Sequence, residues 1–428
     1  MRDLAARLRE VVRRERAAEP PPAARELTYI PDPDPQRVAE GAASALGGVA
    51  LDPGGACIVV DRRYPADRSH GRRSIESCAP RGVAPLHLLD ERTLAHADWS
   101  RRVVFFDIET TGLSGGAGTL AFLAGCGWFE ESGDFTVRQF FLVGPSGERP
   151  MLEALGRIFD EASMLVTYNG RTFDVPFMET RWAFHRREAP TGDLAHFDML
   201  PPARRLWSRR EMMTPDDEGC SLGALERRVL GFHRSGDVPG FEIPGRYFQF
   251  LRTGDPSLVE GVLDHNRHDL VSLAAVMAHA LWLAEEGPHA CREPAEQAAL
   301  GRLYERAQLL DRAIEAYELA DATGDAEVKR HALARLAVLH RRASRYGEAA
   351  IAWQRIVDLV PRGRRTLTSL ERRAVEALAI HHEHRAKDLS SARRFAEALG
   401  ASSTGRQETA RARRLQRLER KMSGRLLE

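Results

Sequence analysis

Apolar and polar positions along the chain change period several times, and each change marks an element. RRVVFFDIE (101–109) is apolar until two acids close it, as in a buried strand that emerges at one end. Thr119 to Phe129 is a second apolar run and FTVRQFFLV (135–143) a third. Gly-rich or acidic turns separate the three, which predicts a meander. In ERPMLEALGRIFDEA (148–162) the apolar residues fall at 151, 152, 155, 158 and 159, a helical period. MLVTYN (164–169) reads as a fourth strand, VPFMETRWAFHRR as a helix and AHFDML as a fifth strand. SLGALERRVLG (221–231) is a helix stopped by glycine, and residues 257–284 form a long closing helical region. This order predicts an α/β domain over residues 100–287, a mixed sheet with helices on its faces.

The flanks have a different texture. Residues 2–17 predict a short amphipathic helix, and the Pro-, Ala- and Gly-rich stretch 18–50 a mobile linker, so 1–50 is set apart as a helix and linker. Residues 51–99 form a short β-containing flank, with a strand in ACIVVDRRYP and a second possible one in APLHLL (84–89). From about 295 onward every period is helical. Leu300-Gly301, Tyr304, Ala313, Tyr317 and Ala320 match Leu336-Ala337, His340, Ala349, Trp353 and Pro361 in order. Ala313 and Ala349 are 36 residues apart, close to the ~34-residue period of stacked helical hairpins. A third, degenerate copy spans 371–399, with Ala392 in the small position. Residues 290–428 therefore read as an all-α repeat module, which resembles the tetratricopeptide repeat.

At 428 residues the chain is long enough for two or three domains. No uncharged apolar run reaches the ~18 residues of a membrane helix; the longest, Leu270 to Ala284, carries His279. The first 20 residues mix acids with arginines and lack the apolar core of a secretion signal. Five widely spaced cysteines without a C-x-x-C pair point to a reducing cytoplasm rather than a disulfide framework. Cys57, Cys126 and Cys220 are expected to be small buried hydrophobes. Net charge is +1 but unevenly spread: residues 290–428 hold 28 Lys+Arg against 19 Asp+Glu, the rest 34 against 42. A basic module thus follows an acidic front portion, which suits contact with a polyanion or a protein partner. Arginine outnumbers lysine 59 to 3, a bias from which no function is drawn. Asparagine occurs only twice, at 169 and 266, which directs attention to those neighbourhoods.

Asp107 and Glu109 end the first strand of the meander. Alternation puts both carboxylates on one face, ~7 Å apart along the strand, where they could hold a hard cation together. The following TTGLSGGAGT offers hydroxyls and backbone N–H groups, either as a phosphate cradle or simply as a turn. Asp174 closes Tyr168-Asn169-Gly170-Arg171-Thr172-Phe173-Asp174 after the fourth strand, either as a helix cap or as a third carboxylate at a strand end. On the late helix, His265 and Asp269 share one face, and Asp264 and His268 another. Asp198 is either an auxiliary acid or a structural cap. Arg171, Arg204, Arg205, Arg209 and Arg210 could reach a phosphate backbone, although each alone reads as surface. Trp182, Trp207 and Trp282 read as core rather than as base-stacking platforms.

Asp107-x-Glu109 followed by Thr-Thr-Gly, then Asn169 to Asp174, then His265-x-x-x-Asp269, resemble the three motifs of the DEDD exonucleases of ribonuclease-H-like fold. DIETTGLSGGAGT with HNR-x-D is most similar to bacterial YprB-type ribonuclease-H-like proteins. The resemblance covers about residues 100–287. It implies a 3′→5′ exonuclease on single-stranded nucleic acid that uses two divalent cations, Mg²⁺ or Mn²⁺, held by Asp107, Glu109, Asp174 and Asp269. Asp107 would bridge both ions, Glu109 and Asp269 would complete one site, and Asp174 would order water at the other. Two such ions ~4 Å apart clamp the attacking and leaving oxygens. His265 would be the general base, with His268 as second choice. The third motif departs from the family pattern, which places Tyr four residues before the last Asp or His five before it; here His265 takes the Tyr spacing and Asp264 the His spacing. Tyr168 stands where many members have His. A non-catalytic adaptor and a structure-selective endonuclease on the same fold remain open alternatives at this point.

Overall fold

The computed structural model describes residues 35–80, 85–90, 92, 101–112, 118–208, 219–361, 364, 366–400 and 405–425. In chain order the α/β part contains α1 (Pro35–Leu46), β1 (Val49–Ala50), β2 (Cys57–Tyr64), β3 (Ser69–His70), β4 (Arg73–Ser74) and α2 (Leu86–Leu89). β5 (Arg102–Thr110), β6 (Ala121–Phe129), β7 (Phe135–Leu142), α3 (Glu148–Asp160), β8 (Ala162–Thr167), α4 (Asp174–Phe184) and β9 (Ala195–Asp198) follow. It closes with α5 (Leu200–Trp207), α6 (Leu222–Leu225), α7 (Ile243–Thr253) and the 30-residue α8 (Ser257–Glu286).

Seven strands form one sheet in the order β1-β2-β7-β6-β5-β8-β9. β5, β6 and β7 are the expected antiparallel meander, and β8 and β9 add in parallel beyond β5. β5 is therefore central, and its alternation splits the molecule into two apolar layers. Val104, Phe106 and Ile108 face one layer with Met151, Leu155 and Phe159 of α3, Trp182 of α4 and Tyr247 of α7. Phe105 faces the other, with Met164, Val166, Phe197 and the apolar stretch of α8 from Leu270 to Ala284. Each side chain of this size contributes about 1.5–3 kcal/mol when fully buried. Asp107 and Glu109 share the parity of Phe105 and so rise on the α8 side of the sheet.

Two expectations are corrected. Residues 35–50 are not linker: α1 buries Ala39, Ala42 and Leu46, and β1 pairs with β2. The strand expected in the 51–99 flank is present and joins the main sheet: β2 pairs with β7 along its whole length, Cys57 opposite Leu142 through Tyr64 opposite Phe135. APLHLL contains a helical turn, α2, rather than a strand; a short apolar run fits either, and Leu86, Leu88 and Leu89 are buried all the same. The helix expected over 2–17 lies outside the described residues, as do residues 113–117 of the Gly-rich turn and Arg209 and Arg210.

The C-terminal region is helical and fits a repeat module. α9 (Pro294–Arg306) pairs with α10 (Leu310–Thr323), α11 (Ala326–Arg342) with α12 (Tyr346–Asp358), and α13 (Ser369–His381) with α14 (Leu389–Ala398); α15 (Gly405–Arg425) follows. Most repeat positions are core: Leu300, Tyr304, Ala313, Tyr317, Leu336, Ala337, Ala349, Trp353 and Ala392 are buried, whereas His340 is half-buried and Pro361 exposed. Gly301 shows why a small residue stands there, since a Cβ would lie 2.8 Å from Cε1 of the Tyr317 ring. The module is joined to the sheet's α8 layer by one continuous core. At the seam Trp207 donates from Nε1 to Glu296 Oε1 (2.9 Å), and Tyr304 donates from its hydroxyl to the Ala284 carbonyl (2.9 Å). No helix among the described residues is long and apolar enough to cross a membrane.

Candidate active site

Three elements bring the acids together: β5 carries Asp107 and Glu109, the start of α4 carries Asp174, and one face of α8 carries His265 and Asp269. α8 can lie this close because Asp107 pairs across the ladder with Gly125 of β6. A Cβ on Gly125 would sit 2.2 Å from Asn266 Oδ1 and 2.8 Å from Leu270 Cδ1. In the space left, fully buried Asn266 donates from Nδ2 to Asp107 Oδ2 (2.8 Å) and to the Asp107 carbonyl (3.3 Å). Its Oδ1 accepts from Gln139 Nε2 (2.8 Å), and Gln139 Oε1 accepts from Arg267 (3.0 Å). The rare asparagine thus orients the first acid of the site.

Glu109, His265 and Asp269 offer ligand atoms that lie within 4.8 Å of one another, a group that could hold a metal ion. Asp107 and Asp174 stand outside that group but close enough to feel its charge. Burial, followed by the charges of Asp269, Asp174 and Glu109, holds the Asp107 carboxyl well above the usual carboxylate range. Burial, then Asp269 and Asp174, pushes Glu109 up to about 8, and burial, outweighing backbone hydrogen bonds, pushes Asp174 up to about 7. Carboxylates this crowded need protons or cations to compensate them.

The partners on the far side come from the segment before α7. His265 Nδ1 is 2.9 Å from Asp237 Oδ1, while His265 Nε2 is 3.4 Å from Asp269 Oδ2 and 4.0 Å from Glu109 Oε1. Arg234, its side chain only 9 % exposed, donates to Glu226 through Nε (2.8 Å) and Nη2 (2.6 Å), to Asp237 Oδ2 (3.2 Å) and to Asp269. Glu226 opens a single π-helical turn, Glu226–Leu230, a feature often found beside functional groups. Burial and the Ser272 hydroxyl also bear on Glu226, and Ser272 Oγ lies 2.8 Å from Nε2 of His70, the last residue of β3. These residues border a cleft of about 400 Å³ lined by His233, Arg234, Asp237, His265 and Asp269 among others. A larger cavity of about 540 Å³, at the seam with the repeat module, contains none of the site carboxylates.

The other singled-out residues have structural tasks. His268 points away, against the Phe232 ring, with Nδ1 buried and unpaired. Asp264 pairs with Arg267, which also donates to Gln139. Asp198 accepts from the backbone N–H groups of Asn169 (2.8 Å), Arg171 (3.2 Å) and Leu200 (3.0 Å), so it shapes the loop that leads to Asp174. Arg171 pairs with Asp90 (2.7 Å), and Arg205 donates to the Leu89 carbonyl (2.6 Å); Arg204 is exposed. Trp182 and Trp207 are buried, but Trp282 is 38 % exposed and stacks on His279 beneath Arg73, which corrects its assignment to the core. Cys57 and Cys126 are fully buried and Cys220 half-buried. Sequence patterns did not single out Glu226, Arg234 or Asp237, which lie in or beside an irregular segment and reach the site only through the fold.

Comparison with known proteins bears on this arrangement. A family model of the RNase_H superfamily matches residues 104–281. Over 376 residues the chain is 31 % identical to the uncharacterized protein YprB of Bacillus subtilis (strain 168), covering 86 % of each chain.

Proposed function

The chain belongs to the ribonuclease H superfamily, and on that premise we propose that it is a metal-dependent 3′→5′ exonuclease that hydrolyses single-stranded nucleic acid. The observation that carries the reading is the convergence of Asp107, Glu109, Asp174 and Asp269 from separate elements, with burial raising the proton affinity of the first three. The donor set fits hard divalent cations, Mg²⁺ or Mn²⁺, which prefer carboxylate oxygen. Asp107, Glu109, Asp174 and Asp269 would hold two of them, and when bound they would neutralise the charge that develops on the reacting phosphate.

His265 is the general base. Its Nε2 faces the carboxylates, and it accepts the proton of the water whose oxygen forms the new bond to phosphorus as the P–O bond to the departing strand breaks. His268 is dismissed from this role because its ring lies against Phe232. An alternative task is favoured by the place of His265 among the ligand atoms of Glu109 and Asp269: there its Nε2 lone pair would hold a cation, in place of taking the proton. The helical hairpins act as tetratricopeptide-like repeats that dock a protein partner or help to hold the nucleic acid; residues 100–287, completed by the flank whose β2 joins their sheet, and 290–428 are the two functional units. The five free cysteines suit a reducing cytoplasm.

Single-stranded RNA and DNA labelled at the 5′ end, incubated with Mg²⁺ or Mn²⁺, test the polarity and the preferred sugar. A ladder that shortens stepwise from the 3′ end is expected. Internal cuts in a substrate with a blocked 3′ end would replace the exonuclease with an endonuclease, and binding without cleavage would leave an adaptor.

A further inference from the structure

We propose that Asp237 is a positioning residue for His265: it takes the Nδ1–H hydrogen bond and thereby keeps the Nε2 lone pair directed at the Glu109 and Asp269 carboxylates. This deepens the nuclease reading and rests on it for its catalytic meaning, but not for the placement of the ring.

The argument is one of donors and acceptors. An ionised carboxylate can only accept, so a ring nitrogen 2.9 Å from Asp237 Oδ1 must carry the hydrogen. The other oxygen of Asp237, Oδ2, is held by the Arg234 guanidinium at 3.2 Å, as suits a carboxylate that accepts through both oxygens. Arg234 Nη1 carries two hydrogens and also lies 3.3 Å from the same Nδ1, so it competes for that nitrogen; Asp237 Oδ1 is the shorter contact at 2.9 Å, while the Nη1 group has its own acceptor in Asp237 Oδ2 at 3.2 Å. A neutral imidazole carries one N–H; with that at Nδ1, Nε2 is the bare nitrogen. Nε2 is also the atom that approaches Asp269 Oδ2 and Glu109 Oε1.

Arg234 holds the carboxylate in turn. Its guanidinium is pinned by both oxygens of Glu226 and reaches Asp237 and Asp269 as well. The chain Glu226–Arg234–Asp237–His265 therefore fixes ring orientation from a rigid base. Such outer partners are commonly worth ten- to hundred-fold in activity or metal affinity.

The test uses the full chain labelled with ¹⁵N-histidine. Long-range ¹H–¹⁵N spectra, with His265→Gln used to assign the ring, report which nitrogen is protonated once the ring is neutral. The wild type is expected to show the Nδ1–H form, and Asp237→Asn and Asp237→Ala to shift toward Nε2–H or a mixture, with Asp237→Glu restoring Nδ1–H. An Nε2–H ring in the wild type, or a ring unaffected by either substitution, would overturn the proposal whether or not the chain cleaves anything. Kinetics form the second arm. Asp237→Asn should lower kcat about ten- to hundred-fold with KM little changed, and in a His265→Gln background it should add less than about twofold. Full additivity of the two substitutions would also overturn it. A wild type that binds nucleic acid but does not cleave it, while keeping the Nδ1–H ring, would sink the nuclease reading alone.

Discussion

Glu109 and Asp174 bind their protons more tightly in the folded chain than in the unfolded one, with values raised to about 8 and about 7. A raised carboxyl favours the native state at low pH, and that contribution is lost as pH climbs from the ordinary value near 4.5 through the raised one. The buried histidines His70, His196 and His279 act in the opposite sense, but only below their ordinary value of 6.5. Above pH 7 the acids therefore dominate. The chain in EDTA should melt at progressively lower temperature from pH 7 to 8.5, and the rise in Tm on adding Mn²⁺ should grow over the same interval. Thermal melts at three pH values in each medium check this; a metal effect that shrinks as pH rises would contradict the charge argument. At this scale much of the site was legible in the sequence. Asp107, Glu109, Asp174 and Asp269 stand at strand ends or on one helical face, and the scarcity of asparagine pointed to Asn266. Asp237 and Arg234 were not legible, because an irregular segment has no period and their importance exists only through contact with α8.

Among the elements, the fit of α8 onto β6 decides whether the acids meet. Gly125→Ala would push a methyl group into Asn266 and Leu270, so α8 must move or Asn266 must give up Asp107. Overpacking of this kind costs about 1–3 kcal/mol. The variant should keep its far-ultraviolet circular dichroism and lose urea stability by about that amount, together with most cation affinity. Unchanged Mn²⁺ binding by calorimetry would show that the glycine is not needed there. The sequence presented AFLAGCGWF simply as an apolar strand; which face a glycine must clear depends on the helix 140 residues later. The meander, α3, α4 and α8 were readable because each keeps one period over many residues. α1 was hidden by a Pro- and Gly-rich surround, and α2 by being a run too short to separate helix from strand.

For the whole molecule, the shared core is the distinctive property. α9 packs on α5 and on the end of α8 through Trp207, Glu296, Leu300 and Tyr304, so the repeat module and the sheet bury one another's apolar surface. The chain should then unfold as one cooperative unit. Scanning calorimetry should give a single transition; two separated transitions, each matching the isolated 35–287 or 290–428 piece, would show that the seam is weak. The sequence announced two modules by their change of period and charge, but not their fusion, since a seam between helices leaves no periodic trace. Everything proposed for the chain turns on the four carboxylates making it a metal-dependent nuclease. The most direct measurement is cleavage of an end-labelled single strand by the full chain in Mg²⁺ or Mn²⁺ and in EDTA, beside Asp107→Asn and Asp269→Asn variants shown to be folded. Cleavage that requires the cation and falls at least about a hundred-fold in both variants is the expected result. Cleavage that persists in EDTA, or in both variants, would contradict it.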